Sequence, residues 1–241
     1  MSKRFCFGKI SEIDVENRSS WDEEKIFLTF DIDWAHDDII RDCQQLVEIT
    51  GVSATFFITH NTPVIDELRI QPQFELGLHP NFNHILEGNE NTSAEEVLHR
   101  LKSVVPEATS VRSHSTTFSS KICALFMENG LTHDSNYFIP DFSEISLKPW
   151  KNWIGVTMVP YLWEDDVACL DDSVAPVLSV VERSGLRVFD FHPIHVFLNS
   201  ESLDRYNQTK ELHHNPTELV KHRYEGYGTR NRLLELLGLG K

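Results

Sequence analysis

Positive charge is scarce in this sequence. Its 22 lysines and arginines face 37 aspartates and glutamates, which leaves a net charge of −15 at pH 7. Such a surface repels nucleic-acid backbones and anionic bilayers, so no nucleic-acid partner is expected. Cysteine is sparse too. Cys6, Cys43, Cys123 and Cys169 lie far apart, with no Cys-x-x-Cys pair. That gives no support to a zinc knuckle or a disulfide framework, and Cys43 and Cys123 fall in helix-like patterns as buried thiols. No apolar run approaches the roughly 18 residues of a membrane span, and none of useful length follows Lys3 and Arg4. No membrane insertion and a reducing, cytoplasmic setting are therefore expected.

Apolar material is plentiful: 40% of the 241 residues are hydrophobic and 15 are phenylalanine. This suits one α/β domain over residues 1–241 with a substantial core. Residues 1–25 read as an N-terminal extension, 26–195 as the motif-bearing core and 196–241 as a C-terminal segment. Within the core, strand and helix patterns alternate. Buried strands are expected at Ile26–Leu28, Ser53–Thr59, Phe74–Leu78, Ser110–Arg112, Thr157–Val159, Tyr161–Trp163 and Leu186–Phe191. Helices are expected at Ile39–Ile49, closed by Gly51, at Ser93–Lys102 with a Ser93/Glu96 capping box, at Ser119–Asn129, Ala175–Glu182 and Thr229–Leu237. Between Pro80 and Asn91 the pattern gives a loop.

Four of these strands run out into polar residues of ligand type: Asp31 and Asp33, His79, Arg112 and His114, and His192. In parallel α/β sheets and barrels, functional groups gather at the carboxyl ends of strands. Asp31 and Asp33 point to one face, where burial and mutual repulsion call for a compensating cation. A carboxylate with two or three further His or carboxamide donors and an open position suits a catalytic divalent metal. Asp33 and His79 are the first two ligands. For the third, the order is His114, then His84, then Asn83.

These residues resemble the motifs of the polysaccharide deacetylases, carbohydrate esterase family 4. Thr29-Phe-Asp-Ile-Asp33 is similar to the first motif, in the variant with one residue between the two acids. Glu75-Leu-Gly-Leu-His79 resembles the start of the histidine motif and Arg112 the arginine of the third. Tyr161-Leu-Trp-Glu-Asp-Asp166 resembles the fourth in composition, and Phe189-Asp-Phe-His-Pro193 resembles the fifth, with the catalytic histidine. The motifs run in the family's order over residues 26 to about 195. There are departures. Asn83 stands where the usual second histidine would, His84 comes one later, and His114 takes the place of a proline. The acids also follow Trp163 rather than precede it.

The resemblance implies a distorted (β/α) barrel of about seven strands and metal-dependent removal of an N-acetyl group from a sugar, and it looks closest to proteins of bacterial surface-polysaccharide gene sets. One divalent metal is implied, zinc by default, with cobalt, nickel or iron suited to the same ligands. Asp31 would be the base, tethered by Arg112, and His192 the general acid, oriented by Asp166 or its neighbour Asp165. Trp34 and Trp163 are candidates to stack on a sugar face. His195 is expected to be structural, and His213-His214 a surface pair. The expected substrate is an N-acetylated glycan precursor. The alternatives are hydrolysis of another C–N bond on the same fold, or a non-catalytic glycan- or metal-binding role.

Overall fold

The computed structural model describes residues 5–21, 24–88, 92–171 and 174–240. Parts of the expected N-terminal extension (1–4 and 22–23) and the end of the expected loop before residue 92 lie outside these residues. The strands, in chain order, are β1 (Cys6–Gly8), β2 (Lys25–Asp31), β3 (Ala54–Ile58), β4 (Phe74–Leu78), β5 (Ser110–Val111), β6 (His133–Asp134), β7 (Trp150–Lys151), β8 (Thr157–Met158), β9 (Trp163–Glu164) and β10 (Val188–Phe191). The helices are α1 (Asp37–Thr50), α2 (Val64–Arg69), α3 (Asn83–Leu86), α4 (Ala94–Val104), α5 (Ser120–Glu128), α6 (Asp165–Leu170), α7 (Val177–Val181), α8 (Pro193–Leu198), α9 (Leu203–Thr209), α10 (Pro216–Leu219) and α11 (Thr229–Leu236).

Among the described residues, the ten strands form one curled sheet in the order β7-β8-β6-β5-β4-β3-β2-β10-β9, with β1 alongside β2. All pairings are parallel except β7 with β8. The curl closes on itself just beyond β6. Phe138 bridges Tyr161, and the amides of Ile139 and Tyr161 bond to the carbonyls of Tyr161 and Tyr137 at 2.9 and 3.0 Å. The ring thus runs through β2, β3, β4, β5, β6, β9 and β10. The expected barrel is present, and the short β1, β7 and β8 lie outside its ring.

β2 is central because it is apolar on both faces. Ile26, Phe27, Leu28 and Phe30 are fully buried, as a strand flanked by parallel neighbours and covered by helices must be. Phe30 stacks on Phe56 of β3, with ring centroids 4.8 Å apart. Helix α1 begins with His36 as its cap, whose Nδ1 accepts from the Asp38 amide at 3.2 Å. Asp37 and Asp38 occupy the first turn, where the helix dipole favours them, and Gly51 ends the helix at φ 68°. The Ser93/Glu96 capping box starts α4 as the sequence predicts. The segment after residue 196, featureless by periodicity until Thr229, folds into short helices against the same end of the barrel as the strand-end polar residues.

Candidate active site

Because the ring strands are parallel, their carboxyl ends meet at one mouth, and the polar strand-end residues meet with them. Asp33 leaves β2 in a tight turn with φ 39°, followed by Trp34 at φ 55°. The Ala35 amide closes this turn onto Ile32 O at 2.8 Å, and the Trp34 amide is held by Thr59 Oγ1 at 3.1 Å. His79 follows β4, its amide bonded to Ile58 O at 2.8 Å and its ring 2% exposed. His114 sits on a turn with Ser115 and Thr116 at φ 54° and 48°. Non-glycine residues at positive φ are strained and cluster at working sites, and here both pairs adjoin the converging side chains.

Asp33 Oδ1 lies 3.2 Å from His79 Nε2 and 3.2 Å from His114 Nδ1, and the two nitrogens are 3.3 Å apart. A tetrahedral cation with ligand bonds near 2.0–2.1 Å sets its donors about 3.3–3.4 Å apart. The triangle therefore fits such an ion without rearrangement. Burial pushes the Asp33 carboxyl up, but hydrogen bonds from His114 and His79 override it and hold the group far below the usual range. Burial pulls His114 down, and the Asp33 carboxylate more than restores it.

His84 does not join this group: it is exposed on α3, whose first turn directs its ring to solvent. Asn83 has another task. Its amide donates to Ser115 Oγ at 3.0 Å, and its oxygen accepts from Thr117 Oγ1 at 3.4 Å. The residue at the usual ligand position thus braces the turn that carries His114.

Under the triangle lies a buried charge network. Arg112 Nη1 donates to Thr29 Oγ1 and Asp31 Oδ1, each at 3.0 Å, and to Asp190 Oδ1. Its Nε and Nη2 reach Ser135 O and Oγ at 3.1 Å, and the guanidinium lies 4.7 Å from the Phe57 ring centroid and 4.3 Å from that of Tyr161. Gly77 makes room for this: a Cβ there would come within 2.5 Å of the Phe57 ring. One guanidinium serves two carboxylates, so burial first, opposed by Arg112 and abetted by Asp31, pushes Asp190 well above the ordinary range. Asp31 Oδ2 stands 3.5 Å from His79 Nδ1. That favours the tautomer with its proton on Nδ1 and the Nε2 lone pair facing the triangle.

His192 follows β10 and is fixed by Asp165, not by Asp166. Asp165 is fully buried at the start of α6. It accepts from the His192 amide at 2.8 Å and from Nδ1 at 2.7 Å. Burial pulls His192 down, but the charges of Asp166, Asp165 and Asp33 with the Asp165 bond hold it well above its ordinary value. Its Nε2 is turned toward Asp33, 3.8 Å from Oδ2. Asp166 instead pairs with His195 Nε2 at 2.7 Å and is held at about 2 against the pull of burial. Asp165 is fully buried at the strand-to-helix junction, while Glu164 and Asp166 on either side of it are half-buried. Tyr161, Leu162 and Trp163 are all buried, so no alternation in the sequence tells the two acids apart.

Single atoms of Asp31, Asp190 and His192 lie within 4.8 Å of one another. One water can bridge two of them through hydrogen bonds of about 2.8 Å each. Beside this spot opens a cavity of about 530 Å³ lined by Asp33, Trp34, His114, His192 and Tyr206 among others. Trp34 is 39% exposed and edges against His114, so it is a platform at the cavity. Trp163, in contrast, is buried against Phe189 and Phe191 and belongs to the core. The cavity wall also includes Lys210, His213 and His214. The expected surface pair of histidines thus faces the cavity, beside a lysine that no sequence pattern marks.

Residues 28–210 match the WbmS-like polysaccharide deacetylase family. No curated protein matches the chain. A crystal structure from Bordetella bronchiseptica, described as that of a polysaccharide deacetylase involved in O-antigen biosynthesis, is 43% identical over 98% of both chains, with a TM-score of 0.89. A Mycobacterium smegmatis structure described as a polysaccharide deacetylase shares the fold, at 16% identity and a TM-score of 0.50 over 88% of this chain and 90% of that one. On the length of the family match and the 43% identity, the chain belongs to the WbmS-like polysaccharide deacetylases.

Proposed function

We propose that this protein is a metal-dependent hydrolase that removes an N-acetyl group from a sugar, acting in the cytoplasm on a precursor of surface polysaccharide. The observation that carries this reading is the triangle of Asp33, His79 and His114, with edges of 3.2, 3.2 and 3.3 Å, beside a histidine locked to a buried carboxylate. The O-antigen role described for the Bordetella relative supports the choice of substrate class.

In this reading Asp33, His79 and His114 hold one divalent ion. Zinc is the default for such a ligand set, and cobalt, nickel or iron suit it too. When bound, the ion supplies Lewis acidity to the acetamide carbonyl and lowers the pKa of a nearby water. Asp31 accepts the water's proton, with Arg112 fixing its orientation and Asp190 sharing the guanidinium. The water oxygen bonds to the acetyl carbon. His192 then delivers a proton from Nε2 to the departing nitrogen, so that the C–N bond breaks to acetate and free amine. Asp165 keeps the imidazole oriented and charged for that step. Trp34 offers a flat apolar face to the sugar ring.

The test pairs elemental analysis with acetate release from an N-acetylated sugar. About one metal per chain is expected in the wild type, lost in Asp33→Ala, His79→Ala and His114→Ala and kept in His84→Ala. Chelation should abolish acetate release and zinc restore it. A folded wild type that holds no metal in the presence of zinc, or turnover that resists chelation, would overturn the reading.

A further inference from the structure

One stretch of the cavity wall carries a cation, Lys210, on a chain that is otherwise strongly acidic. Helix α9 and the turn after it place Tyr206, Asn207, Lys210, His213 and His214 on the cavity. Tyr206 anchors this wall. Its ring packs against His195 with centroids 5.1 Å apart, and against His213 at 4.6 Å. His213 Nε2 meets Thr209 Oγ1 at 3.3 Å. Lys210 is exposed and, among the described residues, its ammonium has no carboxylate partner.

The acids on the cavity do not need that lysine. Asp33 is satisfied by His79 and His114, and Asp166 by His195 at 2.7 Å. On a protein of net charge −15, an ammonium with no carboxylate partner among the described residues, lining the same cavity as Asp33 and His192, is a local positive charge; that charge is the lysine's own, since burial pulls the His213 imidazole below its ordinary value. It lowers the barrier an anion meets on approach and gives it a docking point.

We infer that the substrate carries an anionic group in addition to its acetamide, bound by Lys210 with His213 and His214, which sets its acetyl group toward Asp33 and His192. The inference rests on the deacetylase reading and narrows it. The shared chemistry is a carboxylate or phosphate oxygen; the two sources are the carboxylate of a uronic-type sugar and the diphosphate of a nucleotide-linked sugar.

The experiment compares kcat/KM for acetate release from N-acetylglucosamine, N-acetylglucosaminuronic acid and UDP-N-acetylglucosamine. The wild type should favour at least one anionic probe by about tenfold or more over the neutral sugar, as a hydrogen bond to a charged group warrants. Lys210→Glu should cut that preference by about tenfold or more. Lys151→Ala, on exposed β7 outside the cavity, should keep it. Preference for the uronate alone assigns a carboxylate, and preference for the nucleotide sugar alone a diphosphate. Equal turnover of all three, or a preference unchanged in Lys210→Glu, overturns the inference. If the wild type releases acetate from none of them, it is the hydrolase reading that fails for these sugars. Calorimetric titration with the same probes then decides the anion site: binding of an anionic probe that Lys210→Glu abolishes sustains it, and no such binding removes it.

Discussion

Replacing Asp165 by asparagine should lower the pKa of His192. Asp165 makes two bonds to the same residue, from Nδ1 at 2.7 Å and from the amide at 2.8 Å, in a fully buried position. An asparagine has one acceptor and can serve only one of them. If its oxygen takes the amide, its NH₂ faces Nδ1 and opposes the imidazolium. Either arrangement removes a negative charge from beside the ring. A hydrogen bond to a charged group is worth about 1.5–3 kcal/mol, a factor of ten or more in an equilibrium. His192 titrates above its ordinary value because anions surround it, so losing one moves the titration down. The same change should pull the alkaline limb of kcat to lower pH and reduce kcat at neutral pH by about a hundredfold, the scale of general acid catalysis. NMR titration of the His192 ring in metal-free protein, alongside the pH profile, measures both. An unmoved His192 titration with an unmoved alkaline limb would refute the assigned pairing and its role in proton delivery. The Asp166→Asn variant makes the contrast, since Asp166 bonds His195. It should also lower the His192 titration, through lost charge alone, and leave the ring orientation and both Asp165 bonds intact.

Arg112→Ala should destabilise the fold by about 3–5 kcal/mol, because it leaves Asp31 and Asp190 buried without their cation; chemical denaturation reads this. Asp134 is raised by burial from its ordinary 3.8 to about 7, so the folded state binds its proton more tightly and stability falls as pH rises through that window. Asp134→Asn should remove this slope, worth on the order of 4 kcal/mol, in denaturation curves taken across it. Trp34→Ala should raise KM for an acetylated sugar by about three- to tenfold with kcat little changed, as loss of one aromatic face warrants; an unchanged KM would remove Trp34 from substrate binding.

Much of this site can be read along the chain because it is assembled from strand ends. A buried parallel strand announces itself by an unbroken apolar run, and the first polar residue after it must sit at the mouth of the barrel. That logic reaches Asp31, Asp33, His79, Arg112, His114 and His192 without coordinates. It falters where a side chain's direction is set by the element after the strand. Asp165 and Asp166 are adjacent acids at a strand-to-helix junction, and the strand before them is buried on both faces, so no alternation separates them. His84 enters as a ligand candidate because the Pro80 loop has no period to constrain it; the short helix there turns it outward. The Lys210–His214 wall is hidden for a different reason. Its residues are half-exposed and polar, so nothing in their spacing distinguishes a cavity rim from an ordinary surface. Tertiary packing of Tyr206 on His195 brings them to the mouth, and no local pattern encodes that contact.

Trp34 stands at φ 55° immediately after Asp33 at φ 39°. Left-handed backbone costs a non-glycine residue of order 1 kcal/mol or more. A glycine at 34 would relax that turn while erasing the aromatic face that the cavity presents. If Trp34 serves the proposed substrate, selection for stability and selection for binding oppose each other at a single codon. A search for thermostable variants that ignored turnover would accept glycine there and return a sturdier protein that has lost the aromatic face beside Asp33.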